Sequence, residues 1–173
     1  QSFSSTSSVP SALSDVTDGK LNFTASADDE LTWATGFWLE EAGAYLIQGP
    51  DSNLAGVRVN GLITITEVGN APVAGPTIPF SFNDTDFVGN GDVATGVWDL
   101  DGYVDFADYG RVTGFEVTMN NTLFTAVETG SSFIDKKRIK ITVHTEMVPE
   151  PSTVALSFMG LCAMGLIARR QRG

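Results

Sequence analysis

The stretch Ile139-Lys-Ile-Thr-Val-His144 sets apolar Ile139, Ile141 and Val143 against polar Lys140, Thr142 and His144. Successive side chains of an extended chain point to opposite faces, so this period of two predicts a strand with one buried and one wet face. The pattern recurs upstream. Leu21, Phe23 and Ala25 alternate with Lys20, Asn22 and Thr24, and Ile63 and Ile65 with Thr64 and Thr66. Phe115, Val117 and Met119 alternate with Glu116, Thr118 and Asn120.

Turn-forming clusters separate these runs: Gly49-Pro50-Asp51, Asn60-Gly61, Gly69-Asn70-Ala71-Pro72, Gly75-Pro76, Gly89-Asn90-Gly91-Asp92, Asn120-Asn121 and Gly130-Ser131. Short strands between such turns, with no capped helical repeat before residue 150, predict an all-β fold, an antiparallel β-sandwich or jelly-roll. Asn60-Gly61 is expected to close a two-residue hairpin joining Gly56–Val59 to Leu62–Val68. In residues 28–47, Ala42-Gly43-Ala44 and the β-favouring Trp33, Phe37, Trp38 and Tyr45 argue for strands with a loop and against a helix.

The chain has 173 residues, enough for one domain with appendages. That domain is expected over residues 19–147, after a Ser/Thr-rich segment, 1–18, that is either flexible or a late-docking edge strand. The polar, small-residue opening Gln1-Ser-Phe-Ser-Ser-Thr-Ser-Ser is of the kind left by removal of a signal peptide. Residues 1–148 hold 20 acidic and 7 basic residues, a net −13, and such a surface repels phosphate backbones, which argues against nucleic-acid binding. The sole cysteine, Cys162, lies in an apolar run near the C-terminus, so residues 1–161 have no disulfide, thiol nucleophile or zinc knuckle.

That apolar run belongs to Val148-Pro-Glu-Pro-Ser-Thr-Val-Ala-Leu-Ser-Phe-Met-Gly-Leu-Cys-Ala-Met-Gly-Leu-Ile-Ala-Arg-Arg-Gln-Arg-Gly173. Residues 152–168 carry no charge, and as a helix they span about 25 Å, at the lower edge of what crosses a hydrocarbon core. Arg169, Arg170 and Arg172 follow at one end only, which orients the C-terminus towards the cytoplasm and leaves the acidic domain outside. Pro149 and Pro151 fix their own φ and restrict the residues before them, so Val148–Pro151 is held extended.

Val148, Pro149, Glu150 and Pro151, then the apolar span, then the arginine cluster, closely resemble the PEP-CTERM sorting signal of Gram-negative bacteria, similar in logic to the LPXTG signals of Gram-positive bacteria. The resemblance covers about the last 26 residues, and it departs from the pattern only in Gln171, which interrupts the basic cluster, and in Gly173, which follows it. It implies a partner, the membrane-embedded, cysteine protease-like exosortase, which would cleave near the motif. It also implies transient anchoring in the inner membrane by a single C-terminal hydrophobic helix. The destination it implies is the cell surface or an exopolysaccharide-rich extracellular matrix. The expected role is non-enzymatic, with exopolysaccharide or copies of the same chain as partners.

Asp99-Leu-Asp-Gly-Tyr-Val-Asp-Phe-Ala-Asp108 resembles the calcium loops of EF-hands and dockerins. In that reading Asp99, Asp101, Asp105 and Asp108 hold Ca²⁺, but Val97 would occupy the first position, where an oxygen ligand is needed. The competing reading makes these aspartates the solvent side of a strand, with Val104 and Phe106 facing inward. Trp33 and Trp38, with Phe37, Trp98 and Tyr103, are candidates for an aromatic platform that stacks on sugar rings; the competing reading is core. Asp28-Asp29-Glu30 and Glu40-Glu41 are the paired carboxylates that glycoside hydrolysis would need. His144 lacks the partners of a triad or a zinc site. Lys136-Lys-Arg138 with Lys140 is a basic spot on an acidic domain, suited to an anionic polymer, a neighbouring subunit or the protection of an edge strand. A calcium-stabilised or carbohydrate-binding adhesion module and a filament subunit that retains its hydrophobic tail are the alternatives to a structural matrix protein.

Overall fold

A computed structural model describes residues 3–8, 13–28 and 31–147, without the side chains of Thr85 and Asp86. The strands are β1 (Phe3–Ser8), β2 (Ser14–Ser26), β3 (Thr32–Gln48), β4 (Leu54–Val68), β5 (Ala71–Pro72), β6 (Thr77–Val88), β7 (Val93–Asp105), β8 (Val112–Ala126) and β9 (Ser131–Met147). A single 3₁₀ turn, Ala107–Tyr109, stands between β7 and β8, and among the described residues there is no α-helix. The expected C-terminal helix, 152–168, lies outside the described residues.

Every strand pairing among the described residues is antiparallel, and four of them set the winding: β1 with β9, β2 with β8, β3 with β7, and β4 with β6. Lateral pairing of β9 with β3 and of β8 with β4 gathers these ladders into two leaves, β1-β9-β3-β7 and β2-β8-β4-β6. Among the described residues a single strand pairing, Ala34↔Val112, joins one leaf to the other, so the nine-stranded sheet curls over itself in the winding order of a jelly roll.

Inward-facing residues fill the space between the leaves. Phe37, Leu39 and Ile47 of β3 meet Val57, Ile63 and Ile65 of β4 and Val117, Met119 and Leu123 of β8 in one fully buried cluster. Burying each such side chain stabilises the fold by about 1.5–3 kcal/mol before the loss of chain entropy is counted. On β9, Ile139, Ile141 and Val143 pack against this cluster while Lys140 and His144 are exposed, as the alternation predicts.

Several expectations need correction. Of the two readings of residues 1–18, residues 3–8 take the edge-strand one, and residues 14–18 open β2, so the strands begin before residue 19. Ser5 and Ser7 of β1 are buried on Thr125, whose Oγ1 lies 2.6 Å from Ser7 Oγ. Asn60-Gly61 is no hairpin: β4 runs straight through it, paired on both sides, and neither residue has the positive φ a primed turn requires. The ring of Phe80 lies on Gly61, where a Cβ would sit 2.2 Å from it. Asn120-Asn121 is likewise inside a strand, β8, and Asn121 points into the core. Residues 32–48 form one strand with bulges at Ala34/Gly36 and Ala42/Gly43, not two strands with a loop.

At the end of the roll that carries the turns 49–53, 89–92 and 127–130, Asn53 is fully buried. Its Nδ2 donates to Gln48 O and Thr129 O, its Oδ1 accepts from Glu128 N, and its carbonyl accepts from Gly89 N. The side chain therefore ties two connections together, and the backbone carbonyl of the same residue adds the third.

Candidate functional site

Alternation along β3 puts Trp38, Glu40 and Ala42 on the outer face of its leaf. Register then sets Tyr103, Asp101 and Asp99 of β7 beside them on one side and Thr142, Lys140 and Arg138 of β9 on the other. The rings of Trp38 and Tyr103 lie 5.8 Å apart, and His144 joins them at 6.3 Å from Trp38 and 5.6 Å from Tyr103. Gly36 allows this arrangement. Tyr103 lies across it, donating from Oη to Thr35 O at 3.1 Å, and a Cβ on Gly36 would fall 2.0 Å from that oxygen.

From Trp38 the face continues as an open groove of about 420 Å³, lined by Ala42, Asp99, Asp101, Lys137 and Arg138 among others. Carboxylates lie on its β7 side and cations on its β9 side. Glu40 is ion-paired with Lys140, whose hydrogen bond holds the Glu40 carboxyl below its usual range. Chemically the surface offers an aromatic stack at one end and hydrogen-bonding groups of both signs beyond it.

Glu40 and Glu41 are neighbours on one strand and so point to opposite faces: Glu40 outward to Lys140, Glu41 into the core, 1% exposed. They do not flank one substrate. Asp28 is exposed, and Asp29 and Glu30 lie outside the described residues. Trp33 is not brought to Trp38. It lines separate cavities at the end of the roll where β9 finishes, with the Arg111 guanidinium 4.9 Å from its ring centroid. Phe37 and Trp98 are core residues, and Trp98 reaches over Gly43 to donate from Nε1 to Asp135 O at 3.0 Å.

The stretch read as a calcium loop is extended. Asp99, Asp101 and Asp105 alternate along β7 and Asp108 sits in the 3₁₀ turn, because each residue from Gly36 to Gln48 claims a partner on β7 and leaves no slack for a loop. Among the described residues no three His, Cys, Asp or Glu side chains are placed to hold a metal ion. The expected sorting residues Val148, Pro149, Glu150 and Pro151, and the arginines Arg169, Arg170 and Arg172, lie outside the described residues. β9 ends at Met147, paired with Thr32, immediately before Val148.

Sequence reasoning missed two features of the site. His144 was read alone, although its ring completes the cluster with Trp38 and Tyr103; its position opposite Gly36 follows only from the bulged register. Lys136 was counted with the surface basic spot, yet it is 2% exposed. Its inward position at Gly43 comes from the bulge at Ala42/Gly43.

No curated protein matches the chain. Among solved structures, the infectious bursal disease virus Gx strain structure is matched at 9% identity over 100% of this chain, TM-score 0.26, and the chain spans 49% of that longer protein. The broad bean stain virus structure is matched at 11% identity over 86% of this chain and 91% of that one, TM-score 0.26. An alginate lyase A1-II' of polysaccharide lyase family 7 follows at 11% identity over 72% and 80%, TM-score 0.23. At these scores the likenesses carry no argument about fold or function. Among the described residues no helix is long and apolar enough to cross a membrane, a statement that does not concern strands. The tail is different: residues 148–172 match the PEP-CTERM protein-sorting motif, so this chain carries the motif that implies export and processing by exosortase.

Proposed function

We propose that the jelly-roll domain is a non-enzymatic polysaccharide-binding module of the cell surface or extracellular matrix, delivered there through its PEP-CTERM tail. The observation that carries this reading is the partly exposed Trp38–Tyr103–His144 cluster at the head of the groove along β3. Partly exposed rings of this kind supply flat apolar area, while Asp99, Asp101 and Arg138 supply donors and acceptors suited to hydroxyl and carboxylate groups of a sugar chain. The exported setting provides such a polymer in the form of exopolysaccharide. Export itself rests on the tail and not on the domain.

Affinity electrophoresis against neutral and uronic-acid polysaccharides tests the reading. Retardation of the wild-type chain is expected, and Trp38→Ala is expected to weaken it at least about tenfold, as loss of one stacking ring does at an interface centre. Equal retardation of wild-type and Trp38→Ala, or none by any polysaccharide, would overturn it.

A further inference from the structure

Between the leaves lies a polar group that the outer-face reading does not use. Glu41 of β3 and Lys136 of β9 are 1% and 2% exposed and form an ion pair, Nζ to Oε1, at 3.0 Å. Asn121 of β8, 2% exposed, faces them from the opposite leaf, within hydrogen-bonding reach of Glu41; that contact and Lys136 favour the carboxylate, and desolvation outweighs them. The Phe3 ring covers the amine. Lys136 Nζ stands 4.7 Å from its centroid, and the same ring lies on Gly19, the cross-strand partner of Asn121.

Two atoms here lack hydrogen bonds: Glu41 Oε2 and Asn121 Oδ1. Both are acceptors while Glu41 is ionised, so they cannot satisfy one another. A proton on Oε2 makes it a donor and allows it to pair with Oδ1.

We propose that Lys136 and Asn121 join in an intramolecular isopeptide bond, with Glu41 as its acid–base catalyst. The neutral Nζ attacks Cγ of Asn121, forming the new C–N bond, while protonated Glu41 hydrogen-bonds Oδ1 and polarises the carbonyl. Glu41 then takes a proton from the attacking nitrogen and passes one to Nδ2. The Cγ–Nδ2 bond breaks and ammonia leaves, so lysine amine and asparagine amide become one secondary amide plus ammonia with no oxidant. Burial favours this start: desolvation raises the Glu41 pKa and lowers that of Lys136, moving both towards their neutral forms. The bond would link the leaves across the core and staple β8 to β9.

Protease mapping of the full 173-residue chain tests it. Cleavage at Glu116, Glu128 and Glu146 separates peptide 117–128, with Asn121, from peptide 129–146, with Lys136. The two are expected to remain joined and to be lighter by one ammonia, about 17 Da. Mapping also avoids confusion with Gln1, which loses the same mass if it cyclises. Glu41→Gln, which keeps the shape, and Lys136→Arg are expected to yield separate peptides from a chain that still melts cooperatively. Separate, unmodified peptides from folded wild-type protein would overturn the bond. A joined pair in Glu41→Gln would overturn the role of Glu41.

Discussion

Asn53 Nδ2 donates to the carbonyl of Thr129 at 2.6 Å, joining the turn after β3 to the turn before β9. The same amide reaches Gln48 O and accepts from Glu128 N, all with the residue fully buried. Asn53→Ala leaves two carbonyls and one N–H without partners. The expected loss of unfolding free energy is about 2–4 kcal/mol, since each orphaned buried group costs on the order of 1–3 kcal/mol and some relax towards water. Urea unfolding measures it, and a loss below about 0.5 kcal/mol would mean the two turns hold without this side chain.

Gly36 and Gly43 separate binding from folding. A Cβ on Gly43 would lie 1.9 Å from the backbone oxygen of Asp135 and 2.6 Å from the Trp98 indole, so β9 itself must shift. Gly43→Ala is expected to cost more than about 3 kcal/mol and to expose Trp98 to quencher. On Gly36 the obstacle is the tip of the Tyr103 side chain, which can swing away. Gly36→Ala is expected to cost about 1 kcal/mol of stability while weakening polysaccharide retardation, because Tyr103 leaves Trp38. Equal stability losses for the two variants would contradict this division.

Much of this architecture is legible in the sequence, for a physical reason. Where a strand has one wet face, as with Ile139 to His144, the period of two is complete and the assignment is secure. The errors fall where local turn chemistry was overruled by pairing on both sides. Asn60-Gly61 and Asn120-Asn121 have turn composition, yet they are opposed to one another across β4 and β8, Asn60 to Asn120 and Gly61 to Met119, and the ladder holds them extended. Site residues were legible as types and not as neighbours. Asp99 to Asp108 has calcium-loop spacing, but spacing places ligands only if the chain bends, and β3 keeps β7 straight. Bulges are the other blind spot: one at Ala42/Gly43 separates buried Lys136 from exposed Lys137 and Arg138, and no composition signal marks it.

The two tryptophans of β3 were grouped by sequence and are separated by the fold. Trp33 stacks under Arg111 beside the end of β9, away from the groove. Trp33→Ala is therefore expected to leave polysaccharide retardation within about twofold of wild type, against at least about tenfold loss for Trp38→Ala. Its stability cost reflects the lost Arg111 contact, about 0.5–1 kcal/mol, together with the packing of a half-buried ring. Equal loss of binding in both variants would place the binding surface elsewhere than the groove.

Burial sets the sign of a pH effect at Glu41. Desolvation raises its carboxyl above the ordinary 4.5, and the charge and hydrogen bond of Lys136 oppose that rise. Lys136→Met removes the opposition, so the folded-state pKa climbs further above the unfolded one. A raised pKa means that the stabilising contribution is complete below pH 4.5 and is lost as pH rises through the folded value. Lys136→Met is thus expected to be least stable at neutral pH, by about 3–5 kcal/mol relative to Glu41→Met/Lys136→Met, where no charge is left to bury. The gap should close as the pH falls towards 4.5. Comparing the two variants by urea unfolding across that range cancels the other carboxylates, which both share. A gap that stays constant, or widens in acid, would show that the core of the Lys136→Met variant does not hold the Glu41 carboxyl above its ordinary range.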